Sequence, residues 1–199
     1  MICLNGKSDF LNDARATHAS RPALMGLGVR DGRIYATDGF VCHWTAAPVG
    51  MSDGAYTVTV TGGKKDLKLF AESTDVFPFP DVASIVAPAY APDAKYKDLT
   101  GWPTLTDATC KALHKADVYA ILKDTEDALV FQGFYPKDTV HQGDPTLIAL
   151  NAQLVNRSLA HFDERGNRLA LFTDPTRPIF LTDASGTFRA AVMPLHLAR

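Results

Sequence analysis

The chain has 199 residues, 46% hydrophobic and 21% charged, the balance of a globular protein large enough to bury a sizeable core. Its formal net charge of -2 excludes a globally basic nucleic-acid binder, so any such role needs local clustering of cations. Three widely spaced cysteines, Cys3, Cys42 and Cys110, form no CxxC pair, which argues against a zinc ribbon or thiol redox motif and fits a reducing compartment. The N-terminal MICLNGKSDF has no basic stretch leading into a long apolar core, so no secretory signal is expected. No apolar run reaches the ~20 residues of a membrane helix. The expected location is the cytoplasm, without a membrane partner.

Residues 2–5 read as a short strand. Ser8 or Asp9 caps a helix over Phe10–His18 that buries Phe10, Leu11 and Ala14. Leu24–Val29 and Arg33–Ala36 are strands around Arg-Asp-Gly-Arg, where Gly32 tolerates positive φ. Phe40–Thr45 continues as strand. Tyr56–Val60 is a strand by its β-branched content. Gly63–Glu72 has helical spacing, with Leu67, Phe70 and Ala71 together. The segment from Val76 to Pro92 is rich in proline and alanine. It reads as an extended connector with one short strand at Ala83–Val86, and a domain boundary falls between it and about Pro103.

The second half repeats this order. A helix covers Thr106–Ala116, followed by strands at Val118–Leu122, Leu129–Phe134 and Pro145–Leu150. Asn151–Phe162 is a helix with Leu154, Val155, Leu159 and Phe162 inward. Leu169–Thr173, Ile179–Thr182 and Phe188–Leu197 are strands joined by Asp-Pro and Ser-Gly turns. The order implies two α+β domains, each with antiparallel sheet and two helices.

Catalytic patterns are missing. Thr61–Lys65 places glycine and lysine before a predicted helix without the GxxxxGK[ST] spacing that wraps a phosphate. The six histidines, His18, His43, His114, His141, His161 and His196, have no HExxH or other paired ligand spacing, so no metal is expected. Ser185-Gly186 sits in a turn, outside any nucleophile elbow. Asp38, Asp174 and Asp183 follow threonines at strand ends, where a carboxylate satisfies turn donors. No enzyme activity and no cofactor are expected.

The predicted helices carry more signal. Opposite their apolar faces they offer Lys64, Lys65 and Lys68; Lys111, His114 and Lys115; Gln153, Arg157 and His161; and Arg15 with Asn12. Many acids fall in turns instead. Ordinary solvated faces explain each stripe singly. Turned to one surface, the four would hold a phosphate backbone through salt-sensitive contacts. No aromatics interleave with the lysines, which argues against single-strand stacking platforms.

Three blocks have a further property: ALMGLGVRDGRIYATDGFVCHWTAAPVG, then FPDVASIVAP, then the tail segments LNAQLVNRSLAHF, LALFTDPTRPIFL and FRAAVMPLHL. In order and rough spacing they resemble the bacterial DNA polymerase III β sliding clamp family. The first is similar to that family's ATDGHRL stretch, the second to its FPDYxxVxP, the third to its DPxxPV and VMPMRL. The resemblance implies an α+β DNA-clamp fold in two tandem domains. Residues 1–95 resemble the middle domain and 96–199 the C-terminal domain, each with two helices packed on antiparallel sheets. It implies a ring, with helices lining the hole around double-stranded DNA. Rings of six domains would make this chain a homotrimer. Arg15, Lys64, Lys65, Lys68, Lys111, Lys115 and Arg157 would then be the DNA-binding residues.

The resemblance also implies partners: a DNA polymerase or other clamp-binding proteins, and a clamp loader as a further candidate. In the family they insert a peptide into an apolar pocket. The matching positions are Leu24, Thr37, Gly39, Phe40, Val41, Pro80, Ile85, Val192, Met193, Pro194 and Leu195. Two departures stand out. The family's His-Arg after ATDG is Phe40-Val41 here, and its arginine near the C-terminus is His196. An adaptor or decoy that forms no ring is the alternative reading.

Overall fold

The structure is a computed structural model, and it describes residues 1–4, 6–63, 66–139, 144, 146–162, 168–174 and 177–195. In chain order the elements are β1 (Ile2–Cys3), α1 (Ser8–Ala14), β2 (Leu27–Arg30), β3 (Arg33–Thr37), β4 (Val41–Ala46), β5 (Gly54–Thr61) and β6 (Lys68–Thr74). They continue with α2 (Ala83–Val86), β7 (Lys97–Thr100), α3 (Asp107–Lys115), β8 (Val118–Asp124), β9 (Ala128–Pro136) and β10 (Leu147–Leu150). The last are α4 (Ala152–Leu159), β11 (Leu169–Leu171), β12 (Ile179–Thr182) and β13 (Arg189–Val192). Short 3-10 turns cover Pro22–Met25, Ala87–Tyr90 and Lys137–Thr139.

All the strands join one sheet in the order β1-β6-β5-β2-β3-β4-β13-β12-β11-β7-β9-β8-β10. The pairing is antiparallel except between β7 and β9. Strands β1 to β6 stand on one side of a seam and β7 to β13 on the other. The seam pairs β4 with β13, matching Val41 to Val192, Cys42 to Ala191, His43 to Ala190 and Trp44 to Arg189.

Side chains alternate across the sheet because strand periodicity is two. Ile34, Ala36, Val41, Ile179, Leu181, Ala190 and Val192 share a core with Phe10, Leu11 and Ala14 of α1 and Val155 and Leu159 of α4. Their neighbours Tyr35, Cys42, Trp44, Phe180 and Ala191 form a second core with Val82, Val86 and Ala89 of the connector. The seam is therefore covered by helices on one face and by the connector on the other. Each fully buried Val, Leu or Phe contributes ~1.5–3 kcal/mol of transfer free energy. Close packing fixes the connector's path. A Cβ on Gly28 would stand 2.2 Å from Cδ1 of Phe79, so only glycine lets that ring lie on β2.

The hairpin reading at Arg-Asp-Gly-Arg holds, with Asp31 at φ 50° and Gly32 at φ 69°. The helix expected over Asn151–Phe162 is α4, and Asn151 caps it by accepting from the Gln153 N–H at 2.9 Å. Thr106 caps α3 in the same way through the Thr109 N–H at 3.1 Å.

Several expectations are corrected. The helix read over Gly63–Glu72 is not formed: from Lys68 the segment is strand β6, paired with β5 from Lys68 to Thr74. Leu69 and Ala71 are buried and alternate with half-buried Phe70, a period-two pattern that Leu67, Phe70 and Ala71 had disguised. Ala83–Val86 is a single helical turn, not a strand, because Val82 and Val86 must reach the sheet from one face. Among the described residues the first half thus holds α1 and only the one-turn α2, so the two halves do not repeat one another's helices. The helix expected over Phe10–His18 stops at Ala14, and neither Ser8 nor Asp9 caps it. The Ser8 hydroxyl instead donates to the Leu4 carbonyl and accepts from the Leu69 N–H, tying α1 to β6. Strand β7 lies inside the presumed boundary and was not foreseen.

Candidate functional site

The ATDG turn is fixed by its own side chains. Asp38 Oδ1 accepts from the N–H groups of Phe40 (2.8 Å) and Val41 (3.0 Å). The Thr37 hydroxyl donates to the Val41 carbonyl at 2.7 Å and accepts from the Gly39 N–H at 3.0 Å. Gly39 sits at φ 95°, in the region that favours glycine. The turn hands the chain to β4, and Met193 N–H then donates to the Phe40 carbonyl at 2.9 Å.

This geometry divides the predicted pocket residues. Leu24 reaches the turn: a Cβ on Gly39 would lie 3.8 Å from Leu24 Cδ1 and 3.2 Å from Arg21 Nη1. Phe40 is 56% exposed, with the Arg21 guanidinium 5.6 Å from its ring centroid. Met193 and Leu195 are half-buried, and the Leu195 N–H donates to Ala149 at the β10 edge. Val41 and Val192 are 1% and 0% exposed and belong to the helix-side core, so neither meets a ligand in this conformation. Thr37 and Pro194 are buried as well. Pro80 lines a different cavity of about 500 Å³, shared with Tyr35, Phe77 and Phe79, while Ile85 is 48% exposed on α2.

On the opposite face α1 packs beside α4 and α4 beside α3. Lys111 and Lys115 are exposed on α3. Arg157, on α4, is 37% exposed at its side chain and lies 3.8 Å from Asp38. The rest of the predicted cationic set is placed otherwise. Arg15 donates to the Met25 carbonyl and to Asn12 Oδ1, and burial holds its pKa below the usual value, so it is turned into the fold. Lys68 is exposed on β6, not on a helix. Lys64 and Lys65 lie outside the described residues, as does His196. The outward side of α1 carries Asp9 and Asp13. The cationic character of the layer therefore concentrates on α3 and α4.

One polar arrangement joins the helices to the seam. His43 is fully buried on β4. Its Nδ1 lies 2.6 Å from the Phe10 carbonyl of α1, and its Nε2 lies 2.8 Å from the Ser158 hydroxyl of α4. The carbonyl only accepts, so Nδ1 carries the proton and Nε2 accepts from Ser158. The Phe10 ring stacks on the imidazole at 4.3 Å. Burial, opposed by the Phe10 hydrogen bond, pushes the His43 pKa down to about 4. A serine and histidine in contact suggest nucleophilic chemistry, but both are 0% exposed, so no substrate reaches them. Beside them His161 meets Asp13 at 2.8 Å, linking the turn after α4 to α1. Local sequence could not reveal this network, whose partners lie far apart in the chain. Among the described residues no cluster of His, Cys, Asp and Glu is placed to hold a metal ion, and no helix is long and apolar enough to cross a membrane.

The architecture has close counterparts among solved structures. The chain aligns over 98% of its length with the β sliding clamp of Caulobacter crescentus at 18% identity and a TM-score of 0.56, covering 65% of that chain. It matches the DNA polymerase III β chain of Streptococcus pneumoniae at 12% identity and a TM-score of 0.58, covering 64% of that chain. A third match is the Pseudomonas aeruginosa sliding clamp bound to griselimycin, at 14% identity and a TM-score of 0.52. The fold is that of a bacterial DNA sliding clamp. At these identities it is the fold that is shared, and the chain spans a little under two-thirds of each of these clamps. No family model matches the sequence, and comparison with curated proteins gives no match. In this clamp fold the helix layer and the connector occupy opposite faces of the seam, and the ATDG turn lies beside the helix layer, where Asp38 and Phe40 line one cleft with Arg15 and Arg157.

Proposed function

We propose that the protein is a clamp-like processivity factor: it encircles duplex DNA, turns α1, α3 and α4 toward it, and tethers a DNA polymerase or another DNA-processing enzyme. The observation that carries this reading is the helix layer, with Lys111, Lys115 and Arg157 presented from α3 and α4 on one face of a clamp-fold sheet. Such contacts bind a phosphate backbone without reading sequence. A tethered enzyme gains effective concentration and rebinds before it diffuses away, so the clamp needs no chemistry of its own. We divide the chain into clamp-like domains at 1–95 and 96–199, joined at the β4–β13 seam. Six such domains close a ring, which makes this chain a homotrimer. The partner site lies on the exposed edge of Phe40, Leu24 and Met193, with Pro80 and Ile85 on the connector beyond it.

The second reading is an adaptor or decoy that binds clamp-interacting proteins without closing a ring. The acidic outer side of α1 and the inward turn of Arg15 favour it, because both weaken the cationic lining. Mass in solution separates the two. Light scattering at high protein concentration should give three times 21.6 kDa, and a strict monomer would refute the ring. Retention on nicked circular DNA should collapse in Lys111→Glu/Lys115→Glu with the thermal midpoint preserved. Unchanged retention would refute the DNA-facing assignment.

A further inference from the structure

The connector face holds a second cationic group that the clamp reading leaves unused. Tyr90 ends the 3-10 turn that lies over the seam, and Trp44 Nε1 donates to its hydroxyl. The guanidinium carbon of Arg33 stands 4.0 Å from the Tyr90 ring centroid and that of Arg189 4.6 Å. The two cations are therefore no farther apart than the sum of those distances. Neither forms an ion pair with a carboxylate among the described residues. Arg189 spends Nε on the Gly186 carbonyl (3.3 Å) and Nη1 on the Ala89 carbonyl (3.4 Å). Arg33 also hydrogen-bonds the phenol of Tyr35 and Arg189 that of Tyr96, and both phenols are held neutral, their pKa values raised chiefly by burial.

One guanidinium over Tyr90 is enough to strap the connector down by a cation–π contact. Arg189 adds its bond to the Ala89 carbonyl, but two guanidinium groups in one cleft with no paired carboxylate repel each other. Both line one cleft of about 270 Å³ with Gly32, Thr45 and Thr187, and Asp31 is the carboxylate at its rim. The N–H groups that these bonds leave over on the two guanidinium groups suit a tetrahedral oxyanion, which can accept from both and removes their repulsion.

We propose that this cleft, on the face opposite the helix layer, is a binding site for a dianionic tetrahedral oxyanion: a phosphate, free or as a small monoester, clamped between Arg33 and Arg189. The ligand stays within the outer cleft, so the site is separate from the DNA-facing surface. Two sources share this chemistry, inorganic phosphate and a phosphate ester, and the test distinguishes them.

The test is calorimetric titration of the full chain at constant ionic strength with inorganic phosphate, glycerol 3-phosphate, acetate and a short DNA duplex. Phosphate should saturate one site per chain, with acetate at least ~10-fold weaker because it cannot span both forks. If glycerol 3-phosphate binds as well as phosphate, the site takes esters. If only phosphate binds, the free ion is the ligand. Arg33→Gln and Arg189→Gln should each weaken binding by ~10-fold or more. Asp31→Asn should tighten it several-fold, since asparagine keeps the left-handed turn and removes the one negative charge at the rim. A merely structural role for the arginines would not produce that tightening. Thermal midpoints without ligand check that the variants fold. No phosphate binding, binding by the duplex alone, or affinity indifferent to all three substitutions overturns the proposal.

Discussion

Acidification should weaken this protein through one buried imidazole. His43 lies between the Phe10 carbonyl and the Ser158 hydroxyl, and the groups that face it are His161, Asp13 and Arg157. Its pKa falls from the ordinary 6.5 to about 4 in the fold, mainly through burial. Between those values the unfolded chain binds a proton there and the native chain does not. Stability therefore rises with pH across that window and is lost as pH falls through it. Above 6.5 the contribution is fully present, and below about 4 no further loss occurs at this site. The shift corresponds to about 3 kcal/mol. Urea unfolding followed by circular dichroism at pH 7, 6, 5 and 4 measures the loss. Other groups titrate in the same range, so the comparison is with His43→Gln, which cannot protonate. The variant should be less stable at pH 7 but lose about 3 kcal/mol less than the parent on going to pH 4. Parallel stability curves for the two proteins would refute the assignment of a neutral, buried His43.

Asp38→Ala removes the acceptor for two backbone N–H groups at the turn and the partner of Arg157, and should cost about 1–2 kcal/mol in urea unfolding. At the seam, Val192→Asp should prevent folding by burying an unpaired charge, whereas Met193→Asp, one residue on, should fold and lose partner-peptide binding. Circular dichroism and peptide titration read the two effects, and equal damage from both would refute the alternation.

Legibility followed the range of the forces. Helix α4 was readable because Asn151 caps it and its apolar residues recur at helical spacing. The Asp31-Gly32 hairpin was readable because its chemistry is confined to adjacent residues. Strand β6 was misread because Leu67, Phe70 and Ala71 satisfy a helical period, while the decisive facts, burial of Leu69 and pairing with β5, are tertiary. The one-turn helix α2 was hidden in a proline-rich stretch, because only the sheet beneath it selects Val82 and Val86 as one face. The blocks that resembled clamps hold the ATDG turn and the β13 tail, which the pairing of β4 with β13 brings side by side. They did not reveal which side chains face outward. Arg15 was misjudged for a related reason: a cation at a helix end is solvated in sequence terms, but here it completes bonds to Met25 and Asn12.

Period-two alternation at the seam also limits what a partner can touch. Phe40-Val41 and Val192-Met193 are adjacent pairs, and in each pair one member is committed to the core. On the helix side the space is filled by Val41 and Val192. On the connector side Cys42 and Ala191 are sealed beneath Val82 and Val86, and burial pushes the Cys42 thiol up and leaves it unreactive. What stays open is the rim: the exposed Phe40 ring, Arg21 above it, and the half-buried Leu24 and Met193. Phe40 occupies the position where the family that the sequence resembles carries histidine, so the turn keeps the Asp38 carboxylate and has no basic group of its own. Arg21 restores a cation beside it from the preceding loop, through its bond to the Asp38 carbonyl at 2.8 Å. On the proposed reading, a partner would meet an aromatic ring under a guanidinium at the edge of the seam, a surface suited to an apolar anchor flanked by an acidic residue more than to a deep apolar insertion.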